Sequence, residues 1–157
     1  MSELSIRRAR RDDVPAAAAL AGALVRQHHQ QDPRRFMLMD EVEAGYAWWF
    51  GKELGREEAV LLVAVRGEAI VGYAYGALEE RDFNMLLDVH GALHDIFVVP
   101  EERRLGTGAK LLQAMIEALE GLGAPRIILS TMVSNTAAQQ LFARYGFRST
   151  MLEMTRG

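Results

Sequence analysis

Apolar residues recur every three or four positions in some stretches of the chain and crowd or alternate in others, with glycine, proline and acidic residues at the boundaries. Leu4–Ala9 alternates weakly and predicts a short strand. Asp12 or Asp13 is placed to cap a helix that tolerates Pro15 in its first turn, runs through an alanine-rich segment to His28–His29 and stops before Pro33. Residues 34–39 follow neither period. Asp40–Leu54 predicts a helix with Val42, Tyr46, Trp49 and Phe50 near one face. Ala59–Val65 is a buried strand by its length and β-branching, Arg66–Ala69 a turn with Gly67 at its tip, and Ile70–Leu78 the antiparallel partner. Glu80–Asp88 reads as a loop and His94–Val99 as the next strand. Gly106–Leu122 is a strongly amphipathic helix, with Leu111, Leu112, Met115, Ile116 and Leu119 on one face. Pro125–Thr131 predicts a strand, Asn135 caps a helix that ends at Gly146, and Arg148–Met154 closes the chain as a strand. The predicted order is βααβββαβαβ, a mixed α/β layer fold with helices packed on one sheet.

Composition narrows the function classes. The 157 residues suit a single domain over residues 1–157, long enough for a sizeable core. A net charge of -3 gives no basic face for a nucleic acid. There are no cysteines, which excludes disulfides, thiolate zinc sites and an acyl-cysteine intermediate and fits a reducing cytoplasm. The N-terminal stretch lacks a signal-like apolar run, and no segment approaches the roughly 20 apolar residues of a membrane span.

The segment Val98–Leu112 carries the chemistry. An apolar strand ends at Pro100, two carboxylates and two arginines follow, and Gly106 and Gly108 open a helix. A helix N-terminus exposes unpaired N–H groups and about half a positive charge. Glycines let a ligand approach the backbone without meeting a Cβ, and Arg103 and Arg104 add charge. The arrangement is an anion cradle into which a pyrophosphate would fit. It is not a P-loop, because the four-residue spacer and the Lys-Ser/Thr pair are missing. Nor is it a dinucleotide fingerprint, which needs a glycine where Leu111 stands. From the glycines alone, a plain strand–turn–helix corner is an equal reading.

The whole stretch resembles motif A of the GNAT superfamily of N-acetyltransferases, in which Arg/Gln-x-x-Gly-x-Gly/Ala follows an apolar strand and opens a helix. Here Arg103, Gly106 and Gly108 occupy those positions. Residues 134–147 resemble the family's motif B, with Asn135 heading the helix and Gly146–Phe147 after it. The resemblance covers nearly the whole chain. It implies a mostly antiparallel central sheet with helices on both faces, and acetyl-CoA as co-substrate with no metal. The loop amides over Arg103, Arg104, Leu105, Gly106, Thr107, Gly108 and Ala109 would bind the pyrophosphate. The strand at Ile96, Phe97 and Val98 would pair with the pantetheine and supply N–H donors for the oxyanion. Asn135 and Phe142 would lie beside the cofactor.

The resemblance further implies direct attack of a primary amine on the thioester, without a covalent enzyme intermediate. The amine must first lose a proton, since a lysine-like ammonium has a pKa of about 10.4. His94 stands at the start of the cofactor strand, where several family members carry a glutamate base, and histidine titrates near neutrality. A histidine merely satisfying local hydrogen bonds is the alternative. Asp95 is expected on the opposite face of the strand in a structural role, and His90 and Asp88 are weaker candidates for the base. The tyrosine that protonates the leaving thiolate in the family corresponds to Phe142, which has no proton to give. Tyr145, about 60° around the helix, is the remaining hydroxyl, with apolar packing as its other reading.

The acceptor side is less defined. Arg34, Phe36, Met37, Tyr46, Trp48 and Trp49 fall where this fold usually walls its acceptor pocket, and packing of one helix on the sheet is the favoured reading for most of them; Trp48 and Trp49, as neighbours on a helix, cannot both face inward. Glu79, Glu80, Asp82 and Asp88 form an acidic rim or simply a solvated loop. His28 and His29 diverge by about 100° and read as an exposed helix end. The acceptor is expected to be a small amine or an amino group of a peptide or protein. A non-catalytic acyl-CoA sensor and transfer of another acyl group are the alternatives, and a homodimer is a family expectation.

Overall fold

A computed structural model describes residues 2–157. One five-stranded sheet runs in the order β1 (Leu4–Arg8), β2 (Ala59–Arg66), β3 (Ala69–Glu79), β4 (His90–Val98) and β5 (Ile127–Leu129). Neighbours are antiparallel except β5, which lies parallel to β4. Helices α1 (Val14–Gln31) and α2 (Val42–Glu53) cover one face, and α3 (Thr107–Gly121) and α4 (Thr136–Arg144) belong to the other.

Alternation along β2 and β3 divides the core, because successive strand residues point to opposite faces. Leu61, Val63, Tyr73 and Tyr75 pack with Ala17 and Phe50 under α1 and α2. Val60, Leu62 and Ala74 pack with Leu111, Met115 and Leu119 under α3. Leu111, Met115 and Leu119 sit four residues apart on one stripe, and each faces a sheet glycine. A Cβ on Gly72 would lie 3.1 Å from Leu111 Cδ1 and 2.9 Å from the Phe97 carbonyl oxygen. On Gly76 it would lie 2.9 Å from Met115 Sδ and 2.8 Å from the Ala92 oxygen, and on Gly91 3.2 Å from Leu119 Cδ1. The three glycines therefore set how closely α3 approaches the sheet.

The expected closing strand is absent. Residues 148–157 are exposed and make no backbone hydrogen bonds among the described residues, so the order ends βααβββαβα. A strand needs a neighbour, and Phe147 is the last residue that packs on the core. The strand predicted over 125–131 contracts to Ile127–Leu129, because β4 pairs with it only through Gly91–Leu93. β4 starts four residues earlier than expected, where His90–Leu93 pairs with Gly76–Glu79. Asp13 precedes α1, but its carboxylate accepts from the Arg10 N–H at 2.7 Å and from Arg7 at 2.6 Å rather than capping the helix.

A buried carboxylate anchors the glycine loop. Glu102, in a 3-10 turn at Pro100–Glu102, accepts from Arg66 Nε at 2.8 Å and from the Thr107 hydroxyl at 2.9 Å. The Arg66 hydrogen bond holds the Glu102 carboxyl below its ordinary range, Thr107 adding to it against the cost of desolvation. A carboxylate whose folded value is depressed stabilises the fold above its unfolded value and loses that contribution as pH falls through the folded one. Glu102→Gln should therefore lower the melting temperature at neutral pH, with a gap to wild type that closes in acid. Melts that stay parallel across that range would refute the pairing.

Candidate active site

β4 and β5 pair over three residues and then part. Between them opens a cleft of about 460 Å³, lined by β4 residues 93–98, the segment after β5, the start of α4 and one face of α1. Among the described residues the β5-side edge of β4 beyond Leu93 has no strand partner, so the backbone groups of Ile96, Phe97 and Val98 are not committed to that neighbour.

A bulge shapes the His94 end of the cleft. The register of β4 against β3 passes from Tyr75↔Asp95 to Gly76↔Leu93, leaving His94 as an extra residue. The bulge turns two consecutive side chains to one face, contrary to the expected opposite placement of Asp95. His94 stacks on the Tyr75 ring at 5.7 Å between centroids, and the Tyr73 hydroxyl donates to Asp95 Oδ2 at 3.2 Å. Both tyrosines belong to the α1–α2 face. Burial pushes the Asp95 carboxyl up, opposed by the Tyr73 hydrogen bond and by the nearby His94 and His28. Burial likewise pushes both tyrosines up, with Asp95 adding to it at Tyr73 and Glu53 at Tyr75, so each hydroxyl remains a donor.

His94 is half-exposed, and its Nε2 lies 3.0 Å from Glu79 Oε1. The Tyr75 hydroxyl donates to the buried Glu53 carboxylate, which also receives Arg56 at 2.7 Å. The weaker candidates are elsewhere. His90 is outside the cleft lining, its Nδ1 donating to the Asp88 carbonyl at 2.8 Å, and the Asp88 carboxylate pairs with Arg81.

The glycine loop follows Arg103, which lines the other end of the cleft. Gly106 is the N-cap of α3 at φ 83°, a conformation that favours glycine, and a Cβ there would meet nothing within 4 Å. The first helical bond is Lys110 N–H to the Gly106 carbonyl at 3.1 Å. Among the described residues nothing accepts from the amides of Gly106, Thr107, Gly108 and Ala109. Gly108 lies against Val98 and Leu141, 3.9 Å from where its Cβ would be, which ties the loop to β4 and α4. Arg103 lines the cleft with its guanidinium 5.8 Å from the Phe97 ring centroid. Arg104 is exposed at φ 71°, and Leu105 is exposed. The Thr107 hydroxyl turns inward to Glu102, leaving its amide for a ligand. Four unpaired amides, no Cβ at the N-cap and two arginines fit a diphosphate.

On α4, Asn135 lines the cleft while its Oδ1 accepts from the Ala138 N–H at 3.1 Å, so that oxygen serves the cap. Phe142 lines the cleft and meets Phe147 edge-on at 6.0 Å. Tyr145 packs on the α3-side core and is not part of the lining.

Trp49 packs on Tyr75 at 4.8 Å while Trp48 is 69% exposed beneath Lys52. His28 departs from the exposed helix end expected of it. It lines the cleft, its Nδ1–H donates to the Leu24 carbonyl at 2.9 Å, and its ring meets Phe36 edge-on. Sequence reasoning missed Tyr73 and the Glu79–His94 pairing, because the bulge that gathers them leaves no periodic signature, and missed His28, because the passage of α1 along the cleft is not a local feature. Among the described residues no cluster of three or more His, Asp or Glu could hold a metal, and no helix is long and apolar enough to cross a membrane.

Comparison with known proteins follows the same geometry. The model of the acetyltransferase (GNAT) family matches residues 22–147. An N-alpha-acetyltransferase of Sulfurisphaera tokodaii is 33% identical over 106 residues, covering 64% of each chain. N-alpha-acetyltransferase 30 of Schizosaccharomyces pombe is 29% identical over 85 residues, covering 54% of this chain and 55% of that protein. The chain thus spans less than two thirds of the length of these relatives. The BH1408 protein of Bacillus halodurans superposes with a TM-score of 0.82 at 20% identity, covering 98% of this chain and 99% of that one. The aminoglycoside N-acetyltransferase AAC(6')-Iy, solved with CoA, gives a TM-score of 0.77 at 18% identity, covering 100% of this chain and 95% of that one. The family match over residues 22–147, more than half of the sequence, makes this chain a member of the GNAT acetyltransferase family.

Proposed function

We propose that the chain is an N-acetyltransferase that moves the acetyl group of acetyl-CoA to a primary amine by direct attack. The observation that carries this reading is that the cleft along the β4 edge holds the imidazole at the bulge and reaches Arg103, while the unpaired amides of Gly106–Ala109 follow Arg103 with Gly108 against Val98 of the cleft wall. Acetyl-CoA supplies the thioester carbonyl. The Gly106–Ala109 amides with Arg103 and Arg104 bind the diphosphate, and the Ile96–Val98 edge pairs with the pantetheine amides. Asn135 and Phe142 wall the cleft. His94 takes the proton of the acceptor ammonium. Phe142 has no hydroxyl and Tyr145 packs away from the lining, so the leaving sulfur takes its proton from solvent.

Relatives named as N-alpha-acetyltransferases and a neighbour solved with a CoA–acetylneamine bisubstrate analogue support an amine acceptor, whether a peptide N-terminus or a small amine. The acidic groups around His94, namely Glu79 and Asp95, favour a cation. Phe142 favours the second reading, an acyl-CoA sensor without turnover. Free thiol release from acetyl-CoA across a panel of peptide and small amines separates the two. Tight binding with no release on any amine would leave the sensor.

The reading extends to a homodimer. Among the described residues the outer edge of β5 has no neighbour in the sheet, and the tail that reads as a strand has none either. Met151, Leu152 and Met154 on that tail are 80%, 69% and 85% exposed. A second copy provides the missing partner for each. Light scattering should give a dimer for the full chain and a monomer when it is truncated after Phe147. A full-length monomer at high concentration would refute the pairing.

A further inference from the structure

We propose that Glu79 is a positioning residue that fixes the tautomer of His94, so that the proton-accepting atom is Nδ1. This inference rests on His94 acting as the base. The bulge makes His94 an additional residue, and Glu79 sits at the end of the adjacent strand, three register positions from the bulge. Tyr75 and Glu79 are four residues apart on one strand and so point to the same face. The Tyr75 ring supports the imidazole from one side, and Glu79 Oε1 reaches its Nε2 at 3.0 Å. Tyr75 is itself held by Glu53, which Arg56 braces in turn. The imidazole is thus held by stacking and by one in-plane hydrogen bond.

The chemistry follows from what each atom can do. An ionised carboxylate only accepts hydrogen bonds. The contact therefore requires Nε2–H, and the in-plane lone pair is left on Nδ1. When the acceptor ammonium approaches, its N–H bond breaks, an Nδ1–H bond forms, and the electron pair stays on the amine nitrogen for attack. The imidazolium so formed carries its positive charge beside the Glu79 carboxylate. His94 and Glu79 are both partly exposed, with side chains 47% and 37% accessible, so water moderates the effect.

Two-bond ¹H–¹⁵N correlation spectra of the labelled protein, taken where the imidazole is neutral, read the tautomer without any substrate. Wild type should show Nε2–H. Glu79→Gln keeps an accepting oxygen and should keep that tautomer. Glu79→Leu should give a mixture with Nδ1–H. On the panel amine with the fastest turnover, Glu79→Leu should lower kcat roughly tenfold with the KM for acetyl-CoA unchanged. An Nδ1–H tautomer in wild type, or a Glu79→Leu variant with unaltered spectrum, overturns the proposal. A Glu79→Leu variant with altered spectrum and unaltered kcat overturns its catalytic part. Failure of the underlying reading looks different: His94→Gln would then keep full turnover whatever the tautomer spectra show.

Discussion

His94→Gln is expected to lower kcat by roughly a hundred- to ten-thousand-fold, the range for a positioned general base. Affinity for acetyl-CoA should hardly change, because the imidazole sits at the bulge and the cradle proposed for the diphosphate lies at the start of α3. The loss should shrink as pH rises. An unassisted amine reacts only in its neutral form, and for an ammonium of pKa about 10.4 that fraction grows about tenfold per pH unit below the pKa. Wild type, with a base in place, gains less from the same change. Initial rates for both proteins across alkaline pH, with CoA affinity as a control, make the comparison. A variant that keeps wild-type kcat at neutral pH removes His94 from the chemistry.

Gly108→Glu should weaken acetyl-CoA binding a hundredfold or more. A Cβ at this position makes only ordinary contacts, 3.9 Å from Val98 Cγ2 and Leu141 Cδ2, so the variant can fold. Its carboxylate then enters the cradle. Two unit charges about 4 Å apart interact by about 4 kcal/mol at an effective dielectric near 20, and salt screening reduces this. At about 1.4 kcal/mol per factor of ten, a hundredfold survives a substantial discount. Gly108→Ala, which adds the Cβ without the charge, should bind within a few-fold of wild type. Calorimetry on both variants decides the matter: equal affinities would put the diphosphate somewhere else.

The parts of this molecule that repeat were legible in its sequence. The period of α3, the hairpin of β2 and β3 and the capped start of α4 follow from local spacing. The loop at Gly106 was legible for another reason, since spacing and residue type both bear on one backbone conformation. What escaped depends on pairing across the sheet. A single inserted residue at His94 puts Asp95 on the face that alternation denies it, and only the register reveals the insertion. Glu79 reads as part of a solvated loop until β3 extends to include it. His28 reads as a helix end until α1 is seen along the cleft. The tail from Arg148 to Met154 has the composition of a strand, but composition cannot supply a neighbour.

The three glycines beneath Leu111, Met115 and Leu119 leave α3 one berth on the sheet, which holds for as long as no side chain is added at those positions. On the proposed reading, the thioester's landing point would thereby be a constant of the scaffold. On the far side of the sheet, the cleft wall is furnished by side chains of α1, His28 among them, which are replaceable parts. Descendants of this chain could exchange one amine for another by altering that wall alone, while the handle for the donor stays as it is.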